Sequence, residues 1–144
     1  MQLSIQFAKR KDGVKIAYSK FGKGQPLVIP PPWTTSLRFV IEDPFMNRFL
    51  EQLAQKVTVV FYDKHGCGQS DKDREEFALE SELFDLETVT NQLDLEQFNS
   101  MMFTSINESG SNEKENCTIP IFLFVSEAWN MKNIFLFNQR RLLQ

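Results

Sequence analysis

57-VTVVFYDKHGCGQSD-71 runs from strand-forming residues straight into a glycine turn that holds the chain's one histidine, His65. Val57 to Phe61 are β-branched or aromatic, the composition of a buried strand. Beyond them His65, Cys67 and Ser70 crowd together, which raises the question of chemistry. A nucleophilic site needs a base beside the nucleophile and a third group to orient that base. His65 and Cys67 stand only two residues apart, and nothing marks an orienting acid. The bland reading accounts for more of the residues. Gly66 and Gly68 permit positive φ and close backbone approach, while the side chains of Asp63 and Ser70 can satisfy turn amides. The stretch therefore reads as a structural turn of Asp63, Gly66, Gly68 and Ser70, with no catalytic residue.

Upstream, 3-LSIQFAK-9 and 14-VKIAYSKF-21 alternate as strands, joined at the hairpin-type turn Asp12-Gly13. After Gly22 to Gly24 comes 26-PLVIP-30, a short continuous apolar run suited to a strand buried on both faces. Pro30, Pro31 and Pro32 end it because none can donate to a ladder. Asp43 is a good N-cap with Pro44 at the first helical position. Phe45, Met46, Phe49, Leu50, Leu53 and Ala54 then form one apolar stripe. Downstream of the turn, 81-SELFDLETVTNQLDL-95 predicts a second amphipathic helix, burying Leu83, Leu86, Val89 or Thr90, and Leu93. Hairpin, strand, helix, strand, helix is an α/β order whose crossover helices imply parallel pairing.

The 144 residues suit one domain. A formal net charge of -3, with basic residues scattered among acidic ones, supplies no electrostatic footprint for nucleic acid or an anionic membrane surface. No apolar run approaches the roughly 20 residues of a membrane span, and the N-terminus has no signal-like core. Cys67 and Cys117 make neither a disulfide framework nor a zinc site. A cytoplasmic protein without cofactor or metal is expected.

In this order the features resemble the N-terminal half of an α/β-hydrolase. DGVKIAY matches the hairpin, PLVIP the buried strand entering a proline-tryptophan loop, and DKHGCGQS the D-x-R-G-x-G-x-S turn, with His65 in the arginine position. LETVTNQLDLEQFN resembles the helix and lead-in before the nucleophile strand. The PPW loop and the Glu42-Asp43-Pro44 helix start look closest to hydrolase-like modules found with bacterial cyclase or helix-turn-helix domains. The resemblance implies a serine on a G-x-S-x-G elbow, a later acid and then a histidine. The elbow should follow Phe98-Asn99, yet the chain reads 100-SMMFTSINESGS-111, and no glycine pair brackets a serine. Ser105 and Ser109 are displaced nucleophiles only in principle, since loop serines are common. Glu127 replaces the acid only on paper, and no histidine follows His65. By position, the first oxyanion amide belongs to Trp33, the first residue after Pro31 and Pro32 able to donate. A tryptophan covering the core edge explains it equally well.

From residue 100 the composition changes: no aspartate follows Asp94, and six asparagines fall between 107 and 138. The polar stretch 107-NESGSNEKEN-116 reads as loop, TIPIFLFV as a strand, and 127-EAWNMKNIFLFNQRRLLQ-144 as weakly helical. The expectation is an incomplete α/β-hydrolase fold over 1–99 and a divergent tail over 100–144 that a shifted reading frame would produce. With the nucleophile strand missing, PLVIP would stand as an open apolar edge prone to self-association. The chain would be an inactive, truncated hydrolase. A small-molecule acyl substrate would belong to its intact serine-hydrolase parent only. The alternative is a non-catalytic interaction module on the half-hydrolase scaffold; a working small hydrolase would need catalytic residues from another chain.

Overall fold

A computed structural model describes residues 3–31, 36–75, 78–106 and 119–128, with 102–106 and 119–128 described as backbone only. Trp33, Ser109 and the segments 107–118 and 129–144 lie outside the described residues. The elements are β1 (Ile5–Lys9), β2 (Lys15–Gly22), β3 (Pro26–Ile29), α1 (Leu37–Glu42), α2 (Pro44–Ala54), β4 (Thr58–Tyr62), α3 (Leu79–Gln92), β5 (Phe98–Ile106) and β6 (Ile119–Ala128). They form one mixed sheet in the order β1-β2-β4-β3-β5-β6. The β3 strand pairs in parallel with both β4 and β5, while the β1–β2, β2–β4 and β5–β6 pairs are antiparallel. This order, with helices on both faces, fits the incomplete α/β-hydrolase sheet that the resemblance implies.

Burial explains the unbroken apolar runs of β3 and β4. Val28 and Val60 face α3, packing with Ile16, Tyr18 and Phe98 against Leu86 and Val89. Leu27, Ile29, Val59 and Phe61 face the other way, onto Leu37 and Val40 of α1 and Leu50 of α2. A strand covered on both faces has no polar side to show.

The corner between α1 and α2 turns on one residue. The Asp43 amide N–H donates to the Phe39 carbonyl at 2.8 Å, ending α1, and the Asp43 side chain accepts from the Met46 N–H at 2.7 Å, starting α2. Pro44 at the first turn loses nothing by lacking a donor there. The apolar stripe of α2 is only partly buried: Leu50 is fully covered, whereas Phe45 in the first turn is 62% exposed. In α3 the expected Leu86, Val89 and Thr90 are buried and Asp85 joins them, while Leu83, and Leu93 just past the helix end, are half-buried.

One expectation needs correction and another holds. PLVIP is not an edge, because β5 pairs alongside it in parallel, Leu27 with Asn99 and Val28 with Ser100. The apolar 119–125 run forms the expected strand and pairs antiparallel with β5 over Ile106↔Ile119 to Phe98↔Ala128. Backbone pairing explains both: residues 98–106 offer a β-capable segment directly after α3, so the ladder continues through position 100 despite the change in composition. Among the described residues, no helix is long and apolar enough to cross a membrane.

Deleting residues 119–144 strips β6 from β5 and leaves a nine-residue strand with an unpaired edge. Such edges template association, so the shortened chain should sediment as oligomers and unfold less cooperatively in urea than the full chain. Unchanged solubility and cooperativity would show that β6 contributes nothing to the sheet.

Candidate functional site

At the end of β4 the chain enters the glycine turn, and a buried carboxylate organises it. Asp63 has no exposed surface. Its Oδ2 accepts the Gln69 N–H and its Oδ1 the Leu37 N–H, each at 2.6 Å. Ser70 closes the other side: its Oγ donates to the Asp63 carbonyl at 2.5 Å and accepts the Ala17 N–H of β2 at 2.8 Å. One turn thus ties β2, β4 and α1 together. Burial pushes the Asp63 carboxyl above the ordinary range, opposed by the Gln69 and Leu37 amides and by the Lys72 charge.

Gly68 is required by contact as well as by conformation. It sits at φ +49°, and a Cβ there would lie 1.8 Å from Asp63 Oδ2. Gly66, at φ +87°, donates its N–H to the Asp71 carbonyl at 2.8 Å, closing the turn.

His65 and Cys67 do not assemble into a nucleophile–base pair. The His65 ring is nearly buried and its Nε2 lies 3.2 Å from Asp73 Oδ1, while its backbone N–H donates to Asp85 Oδ2 at 2.8 Å. The ring hydrogen bond holds the Asp73 carboxyl below its ordinary range. Cys67 is a half-buried free thiol whose N–H donates to the Lys64 carbonyl. The other sequence candidates are also dispersed. Ser105 lies inside β5, in register with Pro120, and Glu127 lies in β6. Ser100 is buried, in register with Val28. Trp33 and Ser109 fall outside the described residues.

A second buried carboxylate escaped the sequence reading. Asp85 of α3 is fully covered and accepts Arg10 Nη1 at 2.8 Å as well as the His65 amide. Arg10 also binds Asp12 through Nη2 at 2.6 Å and stacks over the Phe84 ring, 4.5 Å from its centroid. Glu82, one turn earlier, takes Lys64 Nζ at 3.1 Å and Arg74 Nη2 at 3.3 Å. Arg10 and Asp85 are 75 residues apart, so no local pattern signals the pair. Among the described residues every buried side-chain polar atom has a partner, and no three potential metal ligands cluster. This network orients strands and helices.

No protein-family model matches the chain, and no curated protein matches it. Solved structures do. The chain is similar to a bromoperoxidase from Bacillus anthracis, at 26% identity and a TM-score of 0.55 over 65% of this chain and 32% of that one. It is similar to an esterase from Exiguobacterium antarcticum at 27% identity and a TM-score of 0.53, over 67% and 34% of the two chains. A hydrolase from Pseudomonas aeruginosa, at 20% identity and a TM-score of 0.59, shares the fold over 67% and 35%. The chain therefore spans about a third of the length of the solved structures it matches.

Gly68→Ala and Gly13→Ala separate contact from conformation. At Gly13, φ +95° but with nothing within 4 Å of a Cβ, alanine should cost about 1–2 kcal/mol from backbone strain. At Gly68 the added methyl must also displace the Asp63 carboxylate and break a charge-assisted bond, so the loss should exceed ~3 kcal/mol. Urea unfolding of both variants checks this; equal losses would mean the carboxylate moves aside without consequence.

Proposed function

We propose that this chain, the N-terminal half of an α/β-hydrolase fold, is a hydrolase descendant without catalytic activity of its own. Its parent would have cleaved ester-like acyl compounds through a Ser-His-Asp mechanism, and the small-molecule substrate would belong to that parent alone. The hydrolase origin rests on the strand order and on the bromoperoxidase and esterase likenesses. The loss of activity rests chiefly on one local observation. The β5 strand runs from Phe98 to Ile106 and is paired antiparallel by β6, in regular register from Ser100 to Ile106 after a register shift between Phe98 and Ser100.

The fold's nucleophile needs a strained strand-to-helix turn that presents the serine hydroxyl beside two oxyanion amides. A strand whose neighbour returns antiparallel instead spends its amides and carbonyls on ladder bonds. Ser105, the candidate nearest the expected elbow, stands within that ladder. Half an oxyanion hole at Trp33 would not help, because electrostatic stabilisation acts on charge that a nucleophile must first generate. His65, meanwhile, is occupied by Asp73 at its ring. The continuation of the ladder into β6 also favours a second reading, in which the half-hydrolase sheet is retained as a scaffold for interaction.

The purified full chain should hydrolyse activated aryl esters no faster than a heat-denatured blank. A rate that scales with protein, survives repurification and is lost in Ser105→Ala or Ser109→Ala would overturn the proposal. Loss in His65→Ala alone would direct the search back to the glycine turn.

A further inference from the structure

We propose that Asp63 is a proton-operated latch: its carboxylate joins the start of α1 to the glycine turn, and uptake of one proton releases one of the two without unfolding the sheet. The geometry carries this. One carboxylate serves two amides from separate segments, Leu37 N–H on Oδ1 and Gln69 N–H on Oδ2, both at 2.6 Å. An ionised carboxylate is acceptor-only, whereas a carboxylic acid turns one oxygen into a donor. The neutral hydroxyl oxygen keeps only a weak acceptor capacity, and its proton crowds the amide N–H that the carboxylate oxygen had accepted. Retreat is blocked on the Oδ2 side, where Gly68 packs so closely that even a methyl group would overlap the carboxylate. One of the two amides is therefore left with a much weaker acceptor.

Of the surrounding charges, Lys72 is the one that bears on Asp63. From the turn, the Lys72 ammonium donates to the Gly68 carbonyl and supplies the positive field at Asp63. Asp71 is engaged by the Lys15 amide of β2 at 2.8 Å. On α1, Arg38 pairs with Glu42 at 2.8 Å on the exposed side, and the first turn carries no acid. His65 is directed to Asp73, and Lys64 to Glu82.

Burial favours the neutral acid, so the folded chain binds this proton at a higher pH than the unfolded chain does. The stability due to Asp63 is therefore fully present below the ordinary carboxylate range and is lost as pH rises through the native value. Proton uptake at this carboxyl does not promote global unfolding. Its effect is confined to the link between α1 and the turn.

Amide exchange followed by NMR on the full chain tests the latch, with rates expressed as protection relative to an unstructured peptide at the same pH. As pH falls, protection at Leu37 or Gln69 should drop about tenfold or more, the loss of one charge-assisted bond. The midpoint should coincide with the titration of the Asp63 side-chain carboxyl carbon. Ala17, held by the Ser70 hydroxyl, should stay protected. Asp63→Asn keeps one acceptor oxygen, so it should show the reduced protection at every pH and no step. The proposal fails if both amides stay protected through the carboxyl titration, or if the step persists in Asp63→Asn. Should that variant not fold, agreement or disagreement of the two wild-type midpoints decides.

Discussion

A carboxylate with no exposed surface is held at the end of β4 by two short amide bonds, and the arrangement of the neighbouring elements depends on it. Removing a charge from water is costly unless hydrogen bonds replace its hydration. At Asp63 both oxygens are served by backbone, so the replacement is built from the chain's own course. Leu37 can donate only if α1 begins beside β4, and Gln69 only if the turn folds back on itself. Ser70 then extends the tie to β2 through the Ala17 amide. The requirement also reaches Gly68, which must lack a side chain for the carboxylate to fit.

A second buried charge does comparable work on the other face. Asp85 draws Arg10 from the β1–β2 hairpin and the His65 amide from the turn onto α3. Because Arg10 also binds Asp12 and covers Phe84, its guanidinium is paired on one side and packed on the other. Removing either partner would leave an uncompensated buried charge, which is far more costly than the pair's net contribution. The glycine turn is therefore clamped from both faces: Asp63 reaches α1 and Asp85 reaches back from α3. That arrangement explains why the histidine, though the only one in the chain, is absorbed into architecture. Its amide and its ring each already have a carboxylate.

Local sequence carried the elements whose formation depends on near neighbours. Asp43-Pro44 announces a helix start because the cap and the first turn lie three residues apart. PLVI and TVVFY announce buried strands because both their faces are covered. The glycine turn is legible as a turn because its glycines, aspartate and serine all suit one. What local pattern does not carry is distance: nothing in 62-YDKHGCGQSDKD-73 names Leu37, Ala17 or Asp85 as partners. Nor does composition report pairing. The loss of aspartate and the rise in asparagine after residue 100 suggested that the sheet stops there. Ladder bonds are made by backbone, however, and a change of side chains does not interrupt them.

The reversal at β6 also sets the direction in which the chain is delivered. Parallel strands β3, β4 and β5 all carry the backbone toward one rim, where the Asp63 turn follows β4. An antiparallel neighbour carries it back: β6 ends at Ala128 beside Phe98, where β5 begins. In a sheet grown by crossovers, each new strand adds another loop to the same rim, and residues from distant segments accumulate there. The hairpin interrupts that accumulation, because the chain leaving β6 starts from the opposite rim. Strand polarity thus limits which residues can be gathered into one place, independently of what those residues are.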